Sequence, residues 1–222
     1  MSAAAAADAA ADAETLDAPK SGPAGGELVL VRHAPTTPVP GAAAATWRLA
    51  PGAMELTAAL GMALVGVRLA APPGGSAGPV DAVVSSHEPK ALATARTLSL
   101  VLGVPTTTGT DLEEHHRDDV PFMPDVEFLR TVKRFFARPD VLVFGSETAR
   151  EAEGRFRKGV IDALASRPRK RLAVVTHGTV MALALAQANG LEPFALWQSL
   201  KLPEAIVVRR DLTIVERLSL EV

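Results

Sequence analysis

Two stretches of the chain repeat one pattern: an unbroken aliphatic run that stops at a histidine. Leu28-Val29-Leu30-Val31 leads into Arg32-His33, and Leu172-Ala173-Val174-Val175 leads into Thr176-His177-Gly178. Successive apolar positions without polar alternation predict strands buried on both faces, as in the middle of a parallel sheet. Pro35, Pro38, Pro40 and Gly41 then turn the chain aside after the first run. In open α/β sheets ligands sit beyond the carboxyl ends of the strands, so both histidines fall where a site is expected. If the two strands are parallel neighbours, His33 and His177 meet at one edge. Strand neighbours point to opposite faces, so Arg32 and His33 converge only if the backbone turns at His33 or Ala34.

The remaining pattern alternates helix and strand. Leu56, Leu60, Ala63, Leu64 and Val67 recur at helical spacing and predict a helix over 54–70. Pro72 to Pro79 reads as a flexible connection, and Val80 to Val84 as a short strand ending in Ser85-Ser86. Pro89 suits a first helical turn, Ala91, Ala95, Leu98 and Leu102 mark one helix face, and Gly103 sits at the C-cap. Val104 to Thr107 is a candidate strand, and Asp111 to Asp119 a charged loop. Phe128, Val132, Phe135 and Phe136 predict a helix ending near Pro139, and Ala149 to Ala163 a longer one. Thr179 to Ala188 is apolar nearly all round, which predicts a buried helix closed by Asn189-Gly190. Ala205 to Val208 and Thr213 to Leu218 flank Arg-Arg-Asp-Leu, a hairpin signal. The expected architecture is a three-layer α/β/α sandwich with a mostly parallel central sheet and a C-terminal antiparallel hairpin. One domain over 27–222 is expected, preceded by a disordered Ala-rich tail over 1–26.

Composition narrows the chemistry. A chain of 222 residues can bury one α/β core. The formal net charge of −2 implies no broad basic face for nucleic acid, so phosphate recognition would have to be local. The absence of cysteine removes disulfides, thiolate nucleophiles and cysteine-bound metals. The first 26 residues lack a signal peptide's basic start and long apolar core, and no later stretch reaches the length of a membrane span. A cytoplasmic protein without a membrane or nucleic-acid partner is expected.

A guanidinium at Arg32 can hold an oxyanion through its planar fork, and an imidazole at His33 can attack or donate a proton. A lone Arg-His at a strand end is usually structural; a second histidine of the same design tips the reading toward a site. His115 and His116 with Asp118 and Asp119 are metal-binding types, but they lack a spaced third ligand, so no metal is expected. His87 fits a pocket mouth or a turn equally. Trp47 fits a substrate wall or a lid over the core, the wall favoured because its loop leaves the strand that ends at His33. Glu147 with Arg155 reads as helix capping and surface charge.

Four pieces in order resemble the histidine phosphatase superfamily, which includes the cofactor-dependent phosphoglycerate mutases. Arg32-His33 with Thr36 resembles its Arg-His-Gly-x-Thr signature, and Leu56-Thr57-x-x-x-Gly61 its helix start. Ser85-Ser86-x-x-x-Lys90-Ala91-x-x-Thr94-Ala95 resembles Ser-Ser-x-x-x-Arg-Ala-x-x-Thr-Ala, and Thr176-His177-Gly178 the late Thr-His-Gly. Leu112-Glu113-Glu114 falls where the family places its acidic Leu-x-Glu.

The resemblance implies a phosphoglycerate mutase-like fold and a metal-independent phosphomonoester hydrolase with no cofactor. His33 would become a phosphohistidine. Glu114, with Glu113 its rival, would protonate the leaving oxygen and later activate water. His177, Arg32 and Lys90 would surround the phosphoryl oxygens, with Thr36 and Gly178 also at the substrate. The N–H groups of Gly178 and Thr179, at a helix start, suit the same anion. The substrate would be a small phosphorylated molecule or a phosphoprotein. Pro38-Val39 and His115-His116-Arg117 depart from the mutase branch. Lys90 in place of arginine loses the bidentate fork. Ala34 in place of glycine would be strained if that position needs positive φ. These two departures motivate an alternative: a degenerate member that binds a phosphorylated ligand without efficient turnover.

Overall fold

The computed structural model describes residues 26–71 and 75–220. Residues 1–25 of the Ala-rich tail, and part of the Pro72–Pro79 connection, lie outside the described residues. The strands are β1 (Glu27–Arg32), β2 (Ala82–Ser85), β3 (Thr106–Thr108), β4 (Leu172–Thr176), β5 (Glu204–Arg209) and β6 (Ile214–Ser219). They form one sheet in the order β3-β2-β4-β1-β5-β6. β3, β2, β4 and β1 run parallel, while β5 is antiparallel to both β1 and β6. The hydrophobic runs of β1 and β4 thus occupy the sheet centre, as their lack of polar alternation requires.

Alternate residues of each central strand serve different cores. Leu28, Leu30, Leu172 and Val174 face one cluster, covered by α3 (Asp125–Ala137), α4 (Ala149–Ala165), α5 (Gly178–Asn189) and α6 (Pro193–Ser199). Val29, Val31, Ala173 and Val175 face the other, covered by α1 (Ala53–Val65) and α2 (Pro89–Leu102). The result is three layers, helices on both faces of the sheet. Phe156 of α4 is fully buried in the first cluster. Truncating a side chain so placed to alanine costs about 3–5 kcal/mol.

One predicted boundary needs correcting, and one helix needs adding. The first helix ends at Val65 with Gly66 as its cap, not at residue 70. The chain turns early because Leu69 and Gly78 exchange backbone hydrogen bonds of 2.8 and 3.0 Å, and Ala70 O accepts from Glu27 N at 2.9 Å. Val67 packs on the core from that turn, which explains why it kept the helical spacing. The helix α6 had no sequence forecast. Pro193 starts it and the Glu192 carboxylate caps it, accepting from Phe194 N and Ala195 N.

The long loop after β1 is folded rather than loose. Thr36 bridges Leu49, and Ala50 N donates to Pro35 O at 2.9 Å. A single 3-10 turn at Ala44–Thr46 then sets Trp47 above the strand end.

Candidate active site

Arg32 pairs in register with Thr176, and His33 N donates to Thr176 O at 3.0 Å. The β-ladder therefore runs one residue past β1 and delivers both histidines to one edge. Their ring centroids lie 5.2 Å apart at 61°. Ser86 N donates to Val175 O at 3.0 Å, which brings the end of β2 to the same place. Arg32 reaches the pocket by lying across Gly178. A Cβ at Gly178 would stand 2.8 Å from Arg32 Nε, so glycine leaves room for the guanidinium. Arg32 Nη1 donates to Leu200 O at 2.6 Å, while its Nε is buried without a partner.

His33 Nδ1 is 2.7 Å from the Ala34 carbonyl. A carbonyl only accepts, so Nδ1 carries the proton and Nε2 keeps its lone pair. Burial is the main cause that pushes the His33 pKa from 6.5 down to about 3, with Lys90 and Arg32 adding to it. The ring is neutral at ordinary pH. His177 is fully buried, and its Nε2 is 2.9 Å from Ser86 Oγ. Burial first, then the neighbouring His33 and Lys90, lowers its pKa as well.

A cavity of about 260 Å³ opens at this edge, bordered by Arg32, His33, Thr36, Lys90, Glu113 and Glu114 among others. His177 and Gly178 are buried. Lys90 is 5% exposed and donates to Glu88 and to Ala44 O. It is a pocket residue and not a solvated helix lysine.

Glu114 sits at the start of α5. Its oxygens accept from Thr179 N at 3.1 Å, Val180 N at 3.3 Å and His115 N at 3.0 Å. The helix N-terminus that the sequence offers to an incoming anion is thus occupied by this carboxylate. Burial raises the Glu114 pKa, but Arg117 and the N–H groups of His115 and Thr179 outweigh it and hold the carboxyl below its ordinary value.

Between residues 67 and 213 the chain matches the family model of the histidine phosphatase superfamily, branch 1. The chain belongs to the histidine phosphatase superfamily. The matched span starts downstream of Arg32 and His33, which join the site through the sheet register. Its fold is similar to that of mycobacterial glucosyl-3-phosphoglycerate phosphatase, at 20% identity and a TM-score of 0.58, covering 87% of this chain and 96% of that one. It is similar to the alpha-ribazole phosphatase of Shigella flexneri, at 16% identity and a TM-score of 0.63, covering 88% and 98%. It is also similar to a phosphoserine phosphatase mutant of Entamoeba histolytica in complex with phosphoserine, at 14% identity and a TM-score of 0.61, covering 86% and 95%. No curated protein matches the chain.

This histidine phosphatase superfamily member departs from the family motif at Ala34 without strain. Among described non-glycine residues only Asp111 and Leu212 have positive φ. Ala34 is buried, and its N–H donates to Thr94 Oγ1 at 3.1 Å. The second departure, Lys90, comes with an acid next to it. Glu88 is 8% exposed, pairs with Lys90, and lies 3.4 Å from His177 Nε2. Burial raises the Glu88 pKa against the pull of Lys90. Glu88 gives no signal of its own in the sequence, although it stands between Ser86 and Lys90 in the Ser-Ser-x-x-x-Lys-Ala stretch. The neighbouring His87 is exposed.

Glu147 and Arg155 also correct their reading as surface charge. Glu147 is 8% exposed and accepts from His116 N at 2.9 Å and from Arg155 at 3.0 and 2.7 Å. Arg155 also donates to the carbonyls of Glu113 and Glu114, at 3.1 and 3.0 Å. The pair clamps the segment that carries Glu114. Helix α4 is capped by Thr148 with Glu151 in a capping box. His115 and His116 diverge: His115 packs on Phe135 and Phe144, while His116 stands near Glu147.

Proposed function

We propose that this protein is a metal-independent phosphomonoester hydrolase that works through a phosphohistidine on His33. The observation that carries the reading is His33, its Nδ1 held 2.7 Å from the Ala34 carbonyl, sharing one pocket with Arg32 and Lys90. Phosphoryl transfer asks mainly for positioning and cationic stabilisation, and these side chains supply both.

His33 Nε2 attacks phosphorus and the ester oxygen leaves. The entering phosphoryl group competes with Glu114 for the N–H groups of Thr179 and Val180. Stripped of those donors and facing an anion, the Glu114 carboxyl rises in pKa and takes up a proton. It then protonates the leaving oxygen and, as a base, activates the water that hydrolyses the phosphohistidine. His177 packs edge-on against the His33 ring. A second assignment of the acid has its own support: Glu88 already has a raised pKa in the resting pocket. Glu114→Gln and Glu88→Gln distinguish them, since only the true donor carries the loss with a poor leaving group.

The central test is phosphate release from 4-nitrophenyl phosphate without added metal, together with trapping of acid-labile phosphoenzyme. Release by the wild type and none by His33→Ala is the expected result. Equal background rates in both proteins overturn the hydrolase and favour a member that only binds its phosphorylated ligand.

A further inference from the structure

Beside the anion pocket lies a second cavity of about 220 Å³, and the two share Ala44, Trp47, Arg117 and Phe128. The character changes across that shared rim. The first cavity is ringed by His, Glu, Lys and Arg. The second is walled by Trp47, Val120, Phe122, Met123, Phe128 and Phe144.

Hydrogen-bonding capacity in the second cavity is small. The one polar group of Trp47, its indole N–H, is spent on Ala42 O at 3.2 Å. Among the residues that line it, Arg117 and Asp125 alone carry charge. The Arg117 guanidinium is stacked over the Phe128 ring, 4.8 Å from its centroid. A polyhydroxylated group placed here would lose water from its hydroxyls and find few partners, a net cost. A flat apolar group would bury area against aromatic faces at no such cost. The space is adequate, since an apolar cavity of about 150 Å³ already holds a benzene ring.

We propose that this cavity is the subsite for the organic part of the substrate, and that the substrate is the phosphate ester of an apolar, aromatic alcohol rather than of a sugar. The proposal rests on the hydrolase reading for its reaction, but not for its geometry. With phosphorus at His33, the shared rim of Trp47 and Phe128 gives the organic part of the ester a way into the apolar cavity. Phe122 is 52% exposed, so its ring has apolar area still open to a partner.

The test compares esters whose leaving oxygens are chemically alike: 2-phenylethyl phosphate, ethyl phosphate and glycerol 3-phosphate. The expected kcat/KM favours 2-phenylethyl phosphate by roughly ten- to a hundredfold, the factor that burial of one Phe-sized group supplies. Phe122→Ser and Met123→Ser should pull that ratio toward one. Equal values for the three esters, or a preference for glycerol 3-phosphate, overturn the subsite. The same three esters titrated calorimetrically into His33→Ala protein separate the two claims. Tighter binding of 2-phenylethyl phosphate with no turnover by the wild type removes the hydrolase and keeps the subsite. Equal affinity, or no binding by any ester, removes the subsite.

Discussion

The wall of the pocket at the sheet edge and the wall made by residues 113–118 hold their side chains by different means. At the sheet edge the backbone does it. Leu28 to Val31 are fully buried, β1 and β4 are locked in register, and His33 N extends the ladder to Thr176 O. The opposite wall contains neither strand nor helix. Side chains from distant elements tie it down: Arg155 on the Glu113 and Glu114 carbonyls, Glu147 on His116 N, and Glu114 on the N-terminus of α5. A ladder is redundant, because neighbouring bonds share each load. A tether of one guanidinium is not, and its loss leaves buried acceptors unpaired. In the proposed reaction the rigid wall carries the nucleophile, and the tethered wall carries the acid that changes partners.

His33→Ala breaks the rigid wall chemically, and kcat/KM should fall on the order of 10⁴- to 10⁶-fold, as for other covalent nucleophiles. Phosphate-release kinetics check this, with circular dichroism showing that the fold persists. Glu114→Gln strikes the other wall. A loss of about 10²- to 10⁴-fold is expected, the range for a general acid. The loss should be larger for ethyl phosphate than for 4-nitrophenyl phosphate, whose leaving group needs no proton. An equal loss for both substrates rules out Glu114 as the donor.

Arg155→Ala tests the tether itself. Unpairing Glu147, which is largely buried, should cost about 3 kcal/mol of unfolding free energy. Activity should fall in step with the loosened Glu114, while His33 stays phosphorylatable. Urea titration and phosphoenzyme trapping read the two effects separately. If stability is unchanged, the wall is held by something other than this pair.

The smallest effect concerns pH. The raised pKa of Glu88 means that it stays protonated to higher pH than an ordinary carboxyl. When pH rises through that value it ionises beside Lys90 and His177, and a negative charge then faces the phosphate. The profile of kcat/KM should fall on that limb, and Glu88→Gln should flatten it. On the acid side His33 sets no limb until pH approaches about 3, because its imidazole is neutral above that value. A wild-type profile unchanged by Glu88→Gln would show that Glu88 only neutralises Lys90.

Some of this was legible in the residues alone. Strands that carry aliphatic runs on both faces have one place in an α/β fold, and that place fixes where their carboxyl ends emerge. Arg32, His33 and His177 therefore announced themselves, and the order of the motifs named the family. The tertiary structure decided the rest, because the deciding interactions link residues far apart in sequence. Arg155 lies 41 residues from the carbonyl it holds at Glu114, and Glu114 lies 65 residues from Thr179 N. Glu88 sits inside the Ser-Ser-x-x-x-Lys-Ala stretch, yet its meaning comes from Lys90 and His177 closing around it. Hydrophobic periodicity reports which face of an element is buried. It carries no record of which side chain completes another's hydrogen bonds, and in this molecule those completions hold the acid side of the pocket.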